Sequence, residues 1–120
     1  MEDSMIAKKS KAFAVRIVRA ARYLKKEKQE YELANQLLRS GTSIGANVAE
    51  AKYAQSDKDF VSKLKIALKE ANETEYWLEV IVLSGTLSNK EVQSLADDVK
   101  ELLRMLISII KTKQENMDNQ

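Results

Sequence analysis

The side chains most able to carry chemistry in this 120-residue chain are four closely spaced glutamates: Glu70, Glu73, Glu75 and Glu79. Their i, i+3 and i, i+4 spacings are typical of helices that donate carboxylates to di-metal centres. Such centres also take histidines from two helices, and this chain contains no histidine. An all-carboxylate magnesium site is the remaining alternative. The sequence favours solvated or interface charges, and we expect no metal, no cofactor and no catalytic residue.

Glu75 differs from the other three because helical spacing places it within an apolar stripe that runs from Phe60 to Leu78. A carboxylate in that stripe needs a partner, since an unpaired buried charge is costly. Three residues of the preceding segment are candidate partners: Arg39, Ser40 and Asn47. The sequence therefore predicts a buried polar network that fixes the register of the helices, in preference to an acid–base role.

The segment 41–45, Gly-Thr-Ser-Ile-Gly, superficially resembles a phosphate-binding loop. It lacks the spacing and the Lys-Ser/Thr pair of a P-loop. Gly41, Gly45 and Ala49 instead follow one another at i, i+4 spacing, which would leave a smooth strip on a helix. We therefore expect this segment to allow close helix packing.

Positive charge is concentrated in the first 28 residues, which hold nine basic and three acidic residues, a net charge of +6, while the remainder carries −4. At 100° per residue, five of these cations fall on one side of a helix; we call them the basic stripe: Lys8, Lys11, Arg19, Arg22 and Lys26. Several cations on one face could neutralise nucleic-acid phosphates, and the nearby Tyr23 could stack on a base. The alternative is a solvated face that pairs with acidic neighbours.

The helices that would position these residues can be predicted from the composition of the chain and from the spacing of its apolar residues. The chain has no cysteine, no proline and only three glycines, which excludes disulfides and thiol nucleophiles and disfavours a many-stranded β fold. Apolar residues at helical period predict helices at about 5–28, 31–53, 57–84 and 89–112, followed by a flexible polar tail over 113–120. Long helices with short connections predict an all-α, antiparallel, up-down-up-down four-helix bundle.

The helix starts are also predicted, with Ser4, Ser56 and Ser88 as N-caps and Glu91 completing a capping box. Apolar residues extend beyond what one core needs, which predicts a homo-oligomer. No apolar run approaches the ~18 residues of a membrane span, and the N-terminus lacks the layout of a signal peptide. We therefore expect no membrane partner and a cytoplasmic location.

A longer pattern covers about residues 10–110. Its parts are LLRSGTSIGANVAEA at 37–51, Ser56 with Asp59-Phe60, KLKIALKEA at 63–71, and ETEYWL at 73–78. This pattern resembles the bacterial four-helix-bundle family of proteins encoded in intervening sequences of 23S ribosomal RNA genes. The matching residues include Arg39, Ser40, Ser43, Ile44, Asn47, Glu50, Asp59, Phe60 and Leu64. The resemblance implies that they pack or form polar bridges within or between subunits.

The resemblance further implies a ring-like homopentamer in the bacterial cytoplasm, from a family whose biochemical role is unsettled. The accessory protein of diversity-generating retroelements is similar in fold and assembly, and it binds nucleic acid and a reverse transcriptase. By that analogy the residues of the basic stripe would contact the nucleic acid. We expect a non-enzymatic oligomer that binds RNA or other nucleic acid through the stripe; the alternative is a protein–protein scaffold ring without nucleic-acid contact.

Overall fold

The computed structural model describes residues 4–119, which form four helices: α1 (Met5–Lys28), α2 (Tyr31–Ala51), α3 (Asp57–Leu83) and α4 (Asn89–Asp118). There is no strand in this range, so the all-α prediction is confirmed. The expected bounds agree with the observed ones to within two residues, except at the C-terminal end of α4.

Serine side chains begin three of the helices in the way that the sequence predicts. Ser4 accepts from the Ala7 amide, and Ser56 Oγ accepts from the backbone N–H of Asp59 at 3.0 Å. Ser88 Oγ accepts from the Glu91 amide, and Glu91 Oε1 accepts from the Ser88 amide at 3.0 Å. The backbone amide of Ser88, followed by its hydroxyl, lowers the pKa of the Glu91 carboxyl. These bonds satisfy amides that a helix start would otherwise leave open.

The four helices pack as a bundle around one apolar core. α1 contacts α2 and α4, and α3 contacts the same two helices. Each helix contributes to the core, whose largest fully buried side chains include Phe13, Ile17, Leu24, Leu37, Ile44, Leu64, Ile81, Leu102 and Leu106. The buried polar side chains within residues 4–119 are those of Ser10, Ser40 and Thr74.

The two helical glycines bring α2 close to α1. A Cβ on Gly41 would lie 2.8 Å from both Cγ atoms of Ile17, and one on Gly45 would lie 3.2 Å from the carbonyl oxygen of Ser10. α2 is continuous through both positions. The prediction that this strip allows close helix packing is confirmed.

The hydroxyls of segment 41–45 are used within α2. Thr42 Oγ1 donates to the carbonyl oxygen of Leu38 at 2.7 Å, and Ser43 Oγ donates to that of Arg39 at 2.6 Å. A P-loop presents an irregular backbone whose free amides cradle phosphate, whereas these residues lie inside a regular helix. The segment is therefore a packing element of α2.

The C-terminal segment differs from its prediction. The sequence predicts a flexible polar tail over 113–120, but residues 113–118 continue α4 to Asp118, and residue 120 lies outside the described residues. Lys113 Nζ is 2.9 Å from Asp57 Oδ1 and 5.6 Å from the ring centroid of Phe60. Polarity alone suggests fraying, yet these contacts give the end of α4 an ionic and a cation–π attachment to the start of α3.

Candidate nucleic-acid interface

Seven of the nine cations of α1 form two sets, and Lys25 and Lys28 near its C-terminal end belong to neither. The first set faces α4. Lys9 Nζ donates to Glu101 Oε1 at 2.7 Å. Arg16 forms an ion pair with Asp98 and donates to Ser94 Oγ at 3.0 Å. These two cations therefore link the helices of the bundle.

The second set is the basic stripe, whose five side chains are all exposed. Within residues 4–119, four of them make no hydrogen bond or ion pair: Lys8, Arg19, Arg22 and Lys26. Lys11, the fifth member, lies at the edge of a cleft between α1 and α2. At about 1.5 Å per residue the stripe is roughly 27 Å long. α1 thus presents a line of cations to the outside of the bundle.

Two apolar side chains accompany the stripe. Val15, which is 47% exposed, falls between the two ends of the stripe on the same face of α1. Tyr23, which is 44% exposed, lies at its edge. A phenol ring in that place is accessible to an unpaired base. The sequence prediction that Tyr23 lies near the stripe therefore agrees with the structure.

The expected polar network is assembled from different residues. Ser40 is buried as predicted, but its partner across the helix interface is Thr74, with 3.0 Å between Ser40 Oγ and Thr74 Oγ1. Thr74 Oγ1 also donates to the carbonyl oxygen of Glu70 at 2.8 Å. Sequence reasoning missed Thr74. Its burial could have been predicted from the regular spacing, by three or four residues, of the buried positions of α3: Ala67, Ala71, Thr74, Leu78 and Ile81.

Glu75 does not belong to the buried core, which corrects the sequence prediction. Its side chain is half-buried and makes no hydrogen bond or ion pair within the described residues. A step of one residue turns a helix by about 100°, so Thr74 faces the core and Glu75 lies beside it.

The remaining predicted partners also have other contacts. Arg39 lies on the surface, where it forms ion pairs with Glu70, at 3.2 Å, and with Glu73. Trp77 Nε1 donates to the same Glu73 carboxylate at 3.2 Å. Asn47 donates to the carbonyl oxygen of Ser43 on its own helix at 2.8 Å. Arg39, Asn47 and Glu75 are thus not brought together.

We expect Thr74→Val to lower the free energy of unfolding by about 1 kcal/mol, because it removes a buried hydrogen-bonding hydroxyl at nearly constant volume. Glu75→Gln should change it by less than about 0.5 kcal/mol, since that carboxylate has no partner within residues 4–119. Urea denaturation of the native chain and of both variants measures the difference. A larger loss for Glu75→Gln than for Thr74→Val would contradict the assignment of the buried polar position to Thr74.

The glutamates of α3 do not gather into a metal centre. Within residues 4–119, no three acidic side chains are close enough to hold a metal ion together. Two of the four glutamates, Glu70 and Glu73, form ion pairs with Arg39. The arrangement is that of surface ion pairs, which contribute little individually to stability.

The faces of α2 and α3 that carry the longer sequence pattern meet through the ion pairs of Arg39 with Glu70 and Glu73. A sequence profile of the 23S rRNA-intervening sequence proteins matches residues 2–108 of the chain. The chain belongs to this family. No curated protein matches the chain. The helices of residues 4–119 include none that is long and apolar enough to cross a membrane.

The family is also represented by a similar solved structure. It is the 1.70 Å crystal structure of a protein of unknown function from the S23 ribosomal protein family of Bacteroides thetaiotaomicron VPI-5482. That protein is 50% identical in sequence, with a TM-score of 0.88, over 89% of this chain and 99% of its own. The 23S rRNA-intervening sequence family is not a known enzyme family, and its function is unknown.

Proposed function

We propose that this member of the 23S rRNA-intervening sequence family is a non-enzymatic, oligomeric protein that binds RNA through the basic stripe of α1. The observation that carries the proposal is the division of the α1 cations. Lys9 and Arg16 are paired with carboxylates of α4, whereas four cations of the stripe have no such partner within residues 4–119. Ion pairs within the bundle do not account for those four charges. Binding to a polyanion would account for them.

The stripe suits phosphate contact because it lies on a single continuous helix. Contacts between cations and phosphates release counterions and dominate sequence-independent affinity. Five contacts on a duplex give a slope of log K against log salt of about −4.5. The stripe contains no built pocket for a particular base, so the proposed binding is non-specific.

We propose that the helices run antiparallel in up-down-up-down order. On α1 and α4 the partners progress from Lys9–Glu101 to Arg16–Ser94, so residue numbers rise on one helix and fall on the other. The α2–α3 partners progress likewise from Arg39–Glu70 to Glu50–Lys63. The connections of two to five residues between helices favour the same order.

The oligomer is proposed to be a ring-like homopentamer in the bacterial cytoplasm, as the family resemblance implies. The support from this chain is apolar exposure, with Leu83 85%, Tyr76 57% and Ile107 53% exposed. Where such side chains form a contiguous patch, they commonly mark an interface. A ring would repeat the stripe in every subunit, so that a long RNA gains avidity from several weak contacts.

A protein–protein scaffold ring without nucleic-acid contact is the second candidate. It is favoured by the same exposed apolar side chains, together with the Arg39–Glu73–Trp77 cluster on α2 and α3. Arginine and tryptophan are frequent at the energetic centres of protein interfaces. A scaffold would keep its protein partner after charge reversal of the stripe.

The test of the proposal is a mobility-shift assay of the native chain with a labelled RNA duplex at low salt. We expect retention that disappears as salt increases, because counterion release weakens phosphate contacts. An RNA single strand of matched length is run in parallel, since Tyr23 is accessible for stacking. No retention of either RNA at low salt would contradict the proposed function.

A further inference from the structure

The chain has four tyrosines, all of them exposed, and two of them have no ring contact. The ring centroid of Tyr53 lies 5.7 Å from a lysine ammonium, and Tyr76 packs edge-on against the neighbouring tryptophan. The side chains of Tyr23 and Tyr31 make neither a ring contact nor a hydrogen bond within residues 4–119. We call these two residues the tyrosine pair. Contacts within the bundle leave both phenol rings available to a ligand.

Tyr31 begins α2 on the side that faces α1. It lies 14 residues before Gly45, close to four helical turns, so both residues share one side of α2. Gly45 packs against Ser10 of α1, whereas Gly41, about one turn earlier, packs against α1 two turns further on. Residue numbers therefore rise on α2 as they fall on α1. Followed back to the start of α2, this register places Tyr31 level with the last turns of α1, at about residues 24–27.

Tyr23 borders the basic stripe on the side of α4. It follows Arg16 by seven residues, close to two helical turns, so both residues lie on the same side of α1. Arg16 forms an ion pair with Asp98 of α4. Because Tyr31 lies on the side of α2, the tyrosine pair flanks the C-terminal part of the stripe from two sides.

Three cations of the stripe lie in this part of α1: Arg19, Arg22 and Lys26. Within residues 4–119 none of them has an ion pair or a hydrogen bond. Glu27, the acidic residue nearby on α1, is turned by about 80° or more from each of the three. Unpaired positive charge and free aromatic rings thus occur together at the end of the bundle where α1 gives way to α2.

We infer that this end of the stripe binds unpaired RNA, with phosphates on the three cations and bases of neighbouring nucleotides stacked on the tyrosine pair. The inference rests on the proposed function, whose site it keeps, and it adds the form of RNA that the site takes. Stacking on aromatic side chains tolerates every base, because each base has a π-face. It is therefore compatible with a stripe that has no pocket for a particular base.

A duplex offers phosphates to the stripe but no free base to the tyrosine pair. Its bases are paired and stacked on one another, whereas the bases of a single strand can be splayed out onto aromatic side chains. One base stacked on one aromatic ring strengthens single-strand binding by roughly fivefold or more. A strand with bases and the same strand without them therefore give the sharpest comparison.

The experiment uses two labelled strands with the same number of phosphates. One is an oligouridine of about 12 nucleotides, within the usual range of single-strand sites, and the other has abasic ribose at every inner position. Fluorescence anisotropy at low salt measures the affinity of each. We expect the native protein to bind the oligouridine about tenfold more tightly or better, because only that strand carries bases for the tyrosine pair.

Tyr23→Ala and Tyr31→Ala should each reduce affinity for the oligouridine by about fivefold or more, and should leave affinity for the abasic strand within about twofold of the native value. Tyr23→Phe keeps the ring and should retain the native affinity. Tyr53→Ala is the matched control, because it removes an exposed tyrosine at the opposite end of α2. It should change neither affinity. Circular dichroism confirms that each variant is folded.

The failures of the two proposals are distinguishable. Equal native affinity for the two strands would overturn the inference, and so would tyrosine variants that lose no affinity or that lose it equally for both strands. Each of these results would leave phosphate binding by the stripe intact. Arg19→Glu with Arg22→Glu should weaken both strands alike. A native protein that binds neither strand and no RNA duplex at low salt would overturn the proposed function, and the inference with it.

Discussion

Replacing Arg19 and Arg22 together by glutamate is expected to reduce RNA affinity at low salt by about tenfold or more. Both side chains are exposed and unpaired within residues 4–119, and their i, i+3 spacing places them on one face of α1. Loss of two of five phosphate contacts on a duplex should change the slope of log K against log salt from about −4.5 to about −2.7. Fluorescence anisotropy with a labelled RNA duplex at several salt concentrations measures both quantities.

A matched control separates the stripe from net charge. Lys100→Glu with Arg104→Glu makes the same change of charge on α4, where both side chains are exposed and have no partner within the described residues. That variant should keep the native slope and lose little affinity, because its cations lie outside the stripe. Equal losses in the two variants would show that overall charge, and not the stripe, governs the interaction.

Gly41→Leu should destabilise the fold strongly, lowering the free energy of unfolding by about 3 kcal/mol. The Cβ alone would lie 2.8 Å from Cγ1 and Cγ2 of Ile17, a fully buried side chain that has no room to withdraw. The gain in helix propensity on replacing glycine, at most about 1 kcal/mol, is smaller than this overpacking. Thermal unfolding should begin about 10 °C lower or more.

The control for that substitution is Asn35→Leu, at an exposed position of the same helix. It adds a leucine without a packing conflict, so the free energy of unfolding should change by less than about 0.5 kcal/mol. Gly85 is constrained in a different way from Gly41. A Cβ there would meet nothing within 4 Å, and its constraint is a backbone φ of 78°. A Gly41→Leu variant as stable as the native chain would show that α1 and α2 do not require this close approach.

The sequence was sufficient for features that depend on local chemistry. Ser56 and Ser88 are followed three residues later by Asp59 and Glu91, and this spacing alone predicts the observed helix starts. The exposure of the basic stripe follows equally from its angular position opposite the apolar face of α1. Such features depend on residues within one or two helical turns of each other, so the sequence alone is enough to predict them.

The sequence was insufficient where a residue's role depends on a neighbouring helix. Glu75 is four residues from Ala71 and three from Leu78, so its spacing fits the apolar stripe nearly as well as that of Thr74 does. Only the approach of Ser40 on α2 selects Thr74 as the buried position. The end of α4 is similar, because its order comes from the contact of Lys113 with Asp57 and Phe60, more than 50 positions away in sequence.

The sequence alone also could not predict which cations of α1 pair with α4 and which do not. Nine basic residues in the first 28 positions give a net charge, but not a distinction between structural and available cations. The structure makes that distinction, because Glu101 and Asp98 of α4 pair with Lys9 and Arg16 and with none of the stripe residues. The structure thus assigns the available positive charge of the stripe to one face of α1.

The measurement that tests the central claim most directly is the salt dependence of RNA affinity for the native protein. With the protein concentration expressed per chain, anisotropy titrations between 50 and 200 mM salt should show affinity falling by more than about two decades, as five phosphate contacts require. An affinity that is undetectable at 50 mM salt, or one that does not change over this range, would contradict the proposal that the basic stripe of α1 binds RNA.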